Sequence, residues 1–117
     1  MKYWVSVPVR VVRYQGDLGD NIDLVVQELD KLQGCNGALL DYSADCDATD
    51  DTAVFAVTVE AAGPEDAFSL GLSCIRSAIH ATGAATPGWD QDSADEAVVI
   101  YQVDTDESFE VRRLVNA

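Results

Sequence analysis

Lysine and arginine are scarce in this chain. Seven basic residues stand against 21 acidic ones, and the formal net charge at pH 7 is −14. Nucleic-acid backbones and anionic membranes reward clustered Lys and Arg, so direct contact with either is excluded as an expectation. No apolar run approaches the roughly 20 residues that span a bilayer. The apolar stretch from Tyr3 to Val12 is broken by Pro8 and Arg10, with Arg13 just beyond, which is not the pattern of a signal peptide. A cytoplasmic location is the expectation. The three cysteines, Cys35, Cys46 and Cys74, are odd in number and have no C-x-x-C spacing. That excludes a zinc knuckle and a dithiol redox motif and fits a reducing compartment.

Chemical groups are equally sparse. His80 is the only histidine, one turn beyond Arg76 on a stripe with Ser73 and Ser77. Serine beside histidine is a pattern of nucleophilic catalysis. No orienting carboxylate or oxyanion donor can be named for it, so polar packing on an exposed helix face is the reading adopted. There is no Gly-rich phosphate loop and no dinucleotide fingerprint, hence no cofactor is expected.

Acids are what the chain has. They cluster at Asp41, Asp45, Asp47, Asp50 and Asp51, at Asp90, Asp92, Asp95 and Glu96, and at Asp104, Asp106 and Glu107. A calcium loop of the EF-hand type needs Gly at its sixth position and an acid at its twelfth. Counted from Asp45, Asp90 or Asp104, those positions hold Asp50 and Ala56, Asp95 and Tyr101, or Phe109 and Val115. All three fail on both counts, so no metal site is expected and solvated loops are the reading. Asp outnumbers Glu, a bias that fits a high-GC genome or a salty cytoplasm as well as a task in binding.

A length of 117 residues is that of one domain with a self-standing core. Its best-defined unit runs from Thr52 to Gly83. Val54, Phe55, Val57 and Val59 have strand composition, with 55, 57 and 59 on the core side. Pro64 suits a first helical position, and Glu65 and Asp66 favour the positive helix end. Phe68, Gly71, Leu72, Ile75, Ala78, Ile79 and Thr82 share one helix face, flanked by Ala67, Cys74 and Ala81. Gly83 is placed for a left-handed cap.

Around that unit, residues 3–14 alternate as a strand with Tyr3, Val5, Val7, Val9 and Val11 on one side. Pro8 predicts a bulge or an early end to pairing. Asp20 reads as the N-cap of a helix with Ile22, Val25, Val26, Leu29 and Leu32 inward and Gly34 as its stop. Residues 38–44 read as a strand with Leu40, Tyr42 and Ala44 on one face, followed by an acidic turn from Asp45 to Asp51. Residues 84–96 form a long loop, 97–103 a strand, and Phe109 to Val115 a strand able to pair back as a hairpin.

The order strand, helix, strand, strand, helix, strand is the α+β split β-α-β repeat of the ferredoxin-like fold, βαββαβ, with a possible extra C-terminal strand. Two helices, near 21–33 and 64–82, should lie on one face of an antiparallel sheet. The segment Ile75-Arg76-Ser77-Ala78-Ile79-His80-Ala81-Thr82-Gly83, with Ala85-Thr86-Pro87-Gly88-Trp89 after it, resembles short acidic proteins of actinobacteria and their phages. That resemblance implies no activity and assigns no site residue.

A sheet covered on one side leaves the other open, and Trp4 falls on that other side, with Val54 and Val98 or Ile100 as neighbours. An exposed apolar patch marks an interface, unless the loop holding Trp89 or the C-terminal strand covers it. Candidate partner-binding residues are therefore Trp4, Trp89, Asp90, Asp92, Asp95, Glu96, Asp104, Asp106 and Glu107. The function expected is a small, non-enzymatic protein-binding or regulatory domain, with a protein partner or self-association. The alternatives are an acidic mimic of nucleic acid that inhibits a basic protein, and a small dimeric ferredoxin-like enzyme.

Overall fold

The computed structural model describes residues 1–35, 37–86, 99–103 and 109–114, without the side chains of Arg13 and Val103. Among them are strand β1 (Lys2–Arg13), helix α1 (Leu18–Cys35), strands β2 (Leu39–Asp47) and β3 (Thr52–Glu60), helix α2 (Pro64–Ala81), and strands β4 (Ile100–Val103) and β5 (Glu110–Leu114). The sheet is antiparallel, in the order β2-β3-β1-β4, with β5 also paired to β1. This α+β architecture is consistent with a ferredoxin-like arrangement. It departs from a plain four-stranded sheet because β4 and β5 share one flank of β1.

The period-2 pattern of β1 decides the layering. Tyr3, Val5, Val7, Val9 and Val11 are buried together with Ala53, Phe55, Val57 and Val59 of β3. Helices α1 and α2 pack on each other, and their stripes join that same core. Phe55 and Tyr101 meet edge to face in its middle, with ring centroids 5.7 Å apart.

Pro8 sits in this central strand without a bulge of its own. Its pairing with β3 runs on through Pro8↔Val54. On the other flank, β5 stops at Ser6↔Glu110 and β4 starts at Val9↔Val103, so Val7 and Pro8 fall between two partners. A residue with no N–H costs least where a ladder is already interrupted. The bulge that exists lies farther on, between Val11 and Arg13. The expected hairpin is corrected by the same register. Both β4 and β5 run antiparallel to β1, so β5 continues in the direction of β4 instead of folding back on it.

Helix α1 begins a turn earlier than Asp20. Asp17 takes the cap, its Oδ1 accepting the Asp20 amide at 3.2 Å and its carbonyl accepting the Asn21 amide. The cause is Leu18, which is buried and opens the stripe Leu18, Ile22, Val25, Leu29. The helix also passes through Gly34 to Cys35. Strand β2 runs to Asp47, well past Ala44, because β3 supplies backbone partners as far as Thr52. A register shift between Leu39 and Asp41 buries Leu39 in place of Leu40. Leu40 is only half-buried, and its carbonyl accepts Gln33 Nε2 at 2.6 Å.

Helix α2 matches its expected bounds to within a residue, with Pro64 in its first turn. Gly83 has φ +90° and donates its amide to the His80 carbonyl at 3.0 Å, the left-handed stop expected of it. The buried stripe is rotated toward Ala67 and Cys74, while Phe68 and Leu72 are half-buried at its side. Small residues thus face the sheet, and Phe68 leans on Phe109 with centroids 5.2 Å apart.

Candidate functional site

The sheet side away from the helices is built in rows that the register defines. One row is Asp41, Thr58, Trp4 and Arg112, across β2, β3, β1 and β5. The next is Ser43, Ala56, Ser6 and Glu110, and beyond it come Asp45, Val54 and Pro8. The two ends are Glu60, Lys2 and Leu114, and Asp47, Thr52, Arg10 and Gln102. Ser6, Pro8 and Ala56 are buried, whereas Asp41, Ser43, Asp45, Val54 and Arg10 are exposed.

Trp4 is half-buried on this face. The Arg112 guanidinium carbon stands 4.9 Å from the Trp4 ring centroid, a cation–π contact that fixes both side chains. Arg112 Nη2 also donates to Glu110 Oε1 at 2.6 Å. The face carries charges of both signs, with Glu110 on β5 and Glu60 on β3. Lys2, Arg10 and Arg112, three of the chain's seven cations, lie on β1 and β5, while Asp41, Asp45 and Asp47 line β2. Ile100 adds nothing exposed to the patch, because it is buried beyond the β1 bulge.

Of the other sequence-selected residues, Trp89, Asp90, Asp92, Asp95 and Glu96, and Asp104, Asp106 and Glu107, lie outside the described residues, as does Val98. Two acids of the β2–β3 hairpin accept hydrogen bonds from within the chain. Asp47 Oδ1 accepts the Thr49 amide at 2.9 Å, and Asp51, at φ 54°, accepts the Tyr14 hydroxyl at 2.8 Å. Among the described residues, no three His, Cys, Asp or Glu side chains are grouped to hold a metal ion. A shallow depression of about 170 Å³ lies at the hairpin end, lined by Asp45, Cys46, Asp47, Thr52, Ala53 and Val54.

His80 is engaged by a residue that the sequence reading passed over. Its Nε2 lies 2.8 Å from Thr86 Oγ1, and Thr86 is fully buried. The bond ties the last turn of α2 to the segment where Ala85 bridges Ile100. Ser73 and Ser77 are exposed. Only the six-residue spacing from His80 to Thr86, across a Gly83 stop, could have suggested the pair.

Three tyrosines have hydroxyls raised above the ordinary value. Tyr14 and Tyr42 donate to Asp51 and Asp30, the latter at 2.7 Å, and each carboxylate disfavours a phenolate beside it. Burial pushes Tyr101 up to about 12. Burial also raises the Cys74 thiol, as suits a small core hydrophobe, whereas Cys35 and Cys46 are exposed free thiols. No helix among the described residues is long and apolar enough to cross a membrane. No protein-family profile, curated protein sequence or solved structure matches this chain.

Proposed function

We propose that this is a non-enzymatic, protein-binding or regulatory domain that works through its open sheet face. We read its fold as a ferredoxin-like βαββαβ unit in the finer sense, with a fourth strand interrupted and resumed as β5. The observation that carries the reading is Trp4, held by Arg112 at the centre of a face from which both helices are absent. An aromatic ring fixed beside an arginine is the composition of an interface anchor. The acidic excess adds steering toward basic surfaces. The cations on the same face interrupt the continuous acidic strip that mimicry of nucleic acid would need. A cytoplasmic setting, and kinship with acidic actinobacterial or phage proteins, belong to the same proposal.

The test is capture from native lysate at moderate salt, with wild type and Trp4→Ala side by side. The reading expects a bound protein that leaves faster from Trp4→Ala. Replacing Asp90, Asp92, Asp95 and Glu96 by their amides should slow association and flatten its salt dependence. Turnover of a small molecule, lost in His80→Ala and without any retained partner, would replace this reading with an enzyme.

A further inference from the structure

Resting on the reading of the open sheet face as a binding surface, we infer that its occupant is a second copy of this chain. The copies would be related by a two-fold axis that runs along the strands between β1 and β3. The argument comes from the rows. Such an axis lays β2 of one copy over the β4/β5 flank of the other, and β3 over β1, and keeps every row at its own level.

Two rows then set opposite charges together in reverse. In the row of Asp41, Thr58, Trp4 and Arg112, Asp41 meets the other copy's guanidinium and Thr58 meets the indole, twice over. In the row of Glu60 and Lys2, carboxylate meets ammonium, again twice. Two rows beyond that of Asp41 toward the hairpin, the exposed Val54 stands over the buried Pro8. The central Ala56 and Ser6 are already buried in the single chain, so the contact rests on the exposed Asp41, Arg112, Glu60 and Lys2. The opposite choice, with the axis across the strands, stacks β2 on β2 and sets Asp41, Asp45 and Asp47 against like charges.

Four strands about 4.8 Å apart and about 30 Å long give roughly 600 Å² in projection. Side-chain relief brings that near the roughly 800 Å² per partner of a specific interface. Sheets pack at about −30°, so rows near the centre hold register best. The Asp41 row is one step from the central Ala56 row.

Asp41 and Arg112 of one copy are three strand positions apart, about 14 Å, and cannot pair with each other. That makes charge reversal a clean test. Molar mass is measured by light scattering and sedimentation for wild type, Asp41→Arg, Arg112→Asp and an equimolar mixture of the two variants. Circular dichroism checks that each variant is folded. The expected result is a wild-type dimer at micromolar concentration. Each single variant should be weakened at least about a hundredfold, since each sets like charges together at both symmetric contacts. The mixture should form a heterodimer, because both of its contacts are again between opposite charges.

A wild-type monomer at 100-fold higher concentration overturns the dimer. So does a dimer that ignores both substitutions, or variants that fail to rescue one another. The dimer can fail while the binding reading stands, through a Trp4-dependent partner captured from lysate by a monomeric chain. Both fail if neither mass nor capture responds to this face.

Discussion

Gly71 of α2 lies against Val5 of β1 so closely that a β-carbon added at Gly71 would sit 2.9 Å from Val5 Cβ, with both Val5 methyl carbons at 3.0 Å. Glycine inside a helix costs about 0.5–1 kcal/mol relative to alanine. Here that cost is offset by bringing the helix down onto the centre of the sheet. Val5 is branched and fully buried and has nowhere to withdraw. Gly71→Ala should therefore destabilise the fold by about 1–3 kcal/mol, against its helix propensity. Urea unfolding checks this, and a gain in stability would mean that α2 lifts from the sheet at little cost.

Tyr101 gives the fold an alkaline limit. Its hydroxyl is pushed up to about 12 by burial beside Phe55, against an ordinary value of 10.0. The folded state holds this proton more tightly than the unfolded chain does. Its contribution is fully present below pH 10 and is lost as pH rises from 10 toward 12, by roughly 2–3 kcal/mol in all. Tyr101→Phe removes this titration. Its stability should fall less across that interval than that of wild type, measured by denaturant midpoints at each pH.

How far the sequence could be read follows from which patterns are local. The α2 unit was legible because Pro64, the apolar stripe and Gly83 agree within 20 residues. The odd-numbered face of β1 was legible for the same reason. Helix α1 was misplaced at its start because Asp17 and Asp20 are both competent caps, and only the burial of Leu18 decides between them. The extension of β2 to Asp47 was hidden because Asp45 and Asp47 face solvent and Cys46 is exposed, leaving no apolar signal. The partner of β5 depends on Pro8 and on a non-local ladder that no period within residues 109–115 encodes. At the site, the side of Trp4 was legible from alternation. Its contact with Arg112 was not, since it joins residues at opposite ends of the chain.

The cap assignment can be separated by a pair of variants. Asp17→Ala removes the acceptor of the Asp20 amide and should cost about 1 kcal/mol. Asp20→Ala keeps that backbone amide and removes only a first-turn charge, which should cost about 0.3–1 kcal/mol and fade with salt. Thermal unfolding at two ionic strengths resolves them. An equal loss in both variants, with equal salt dependence, would contradict Asp17 as the cap.

Salt should stabilise the fold. The ion pairs among the described residues include the Met1 amino group with Glu60, Lys31 with Glu28 and Arg112 with Glu110, each with at least one exposed partner. Exposed pairs contribute about 0–1 kcal/mol each and are themselves weakened by salt. Against them stands a net charge of −14, whose repulsion is greater in the compact state than in the unfolded chain. Raising ionic strength from about 0.01 M to about 0.15 M shortens the screening length from about 30 Å to about 8 Å. Repulsion between distant acids is then lost, while contacts at 2.6–3.0 Å are weakened less. The midpoint of thermal unfolding should rise by about 4 °C for each kcal/mol of repulsion removed. Because a dimer would add its own salt dependence, the measurement is made on Asp41→Arg, which keeps all three ion pairs and is expected from the charge reversal to be a monomer. A midpoint that stays level or falls with salt would show that the ion pairs outweigh the repulsion.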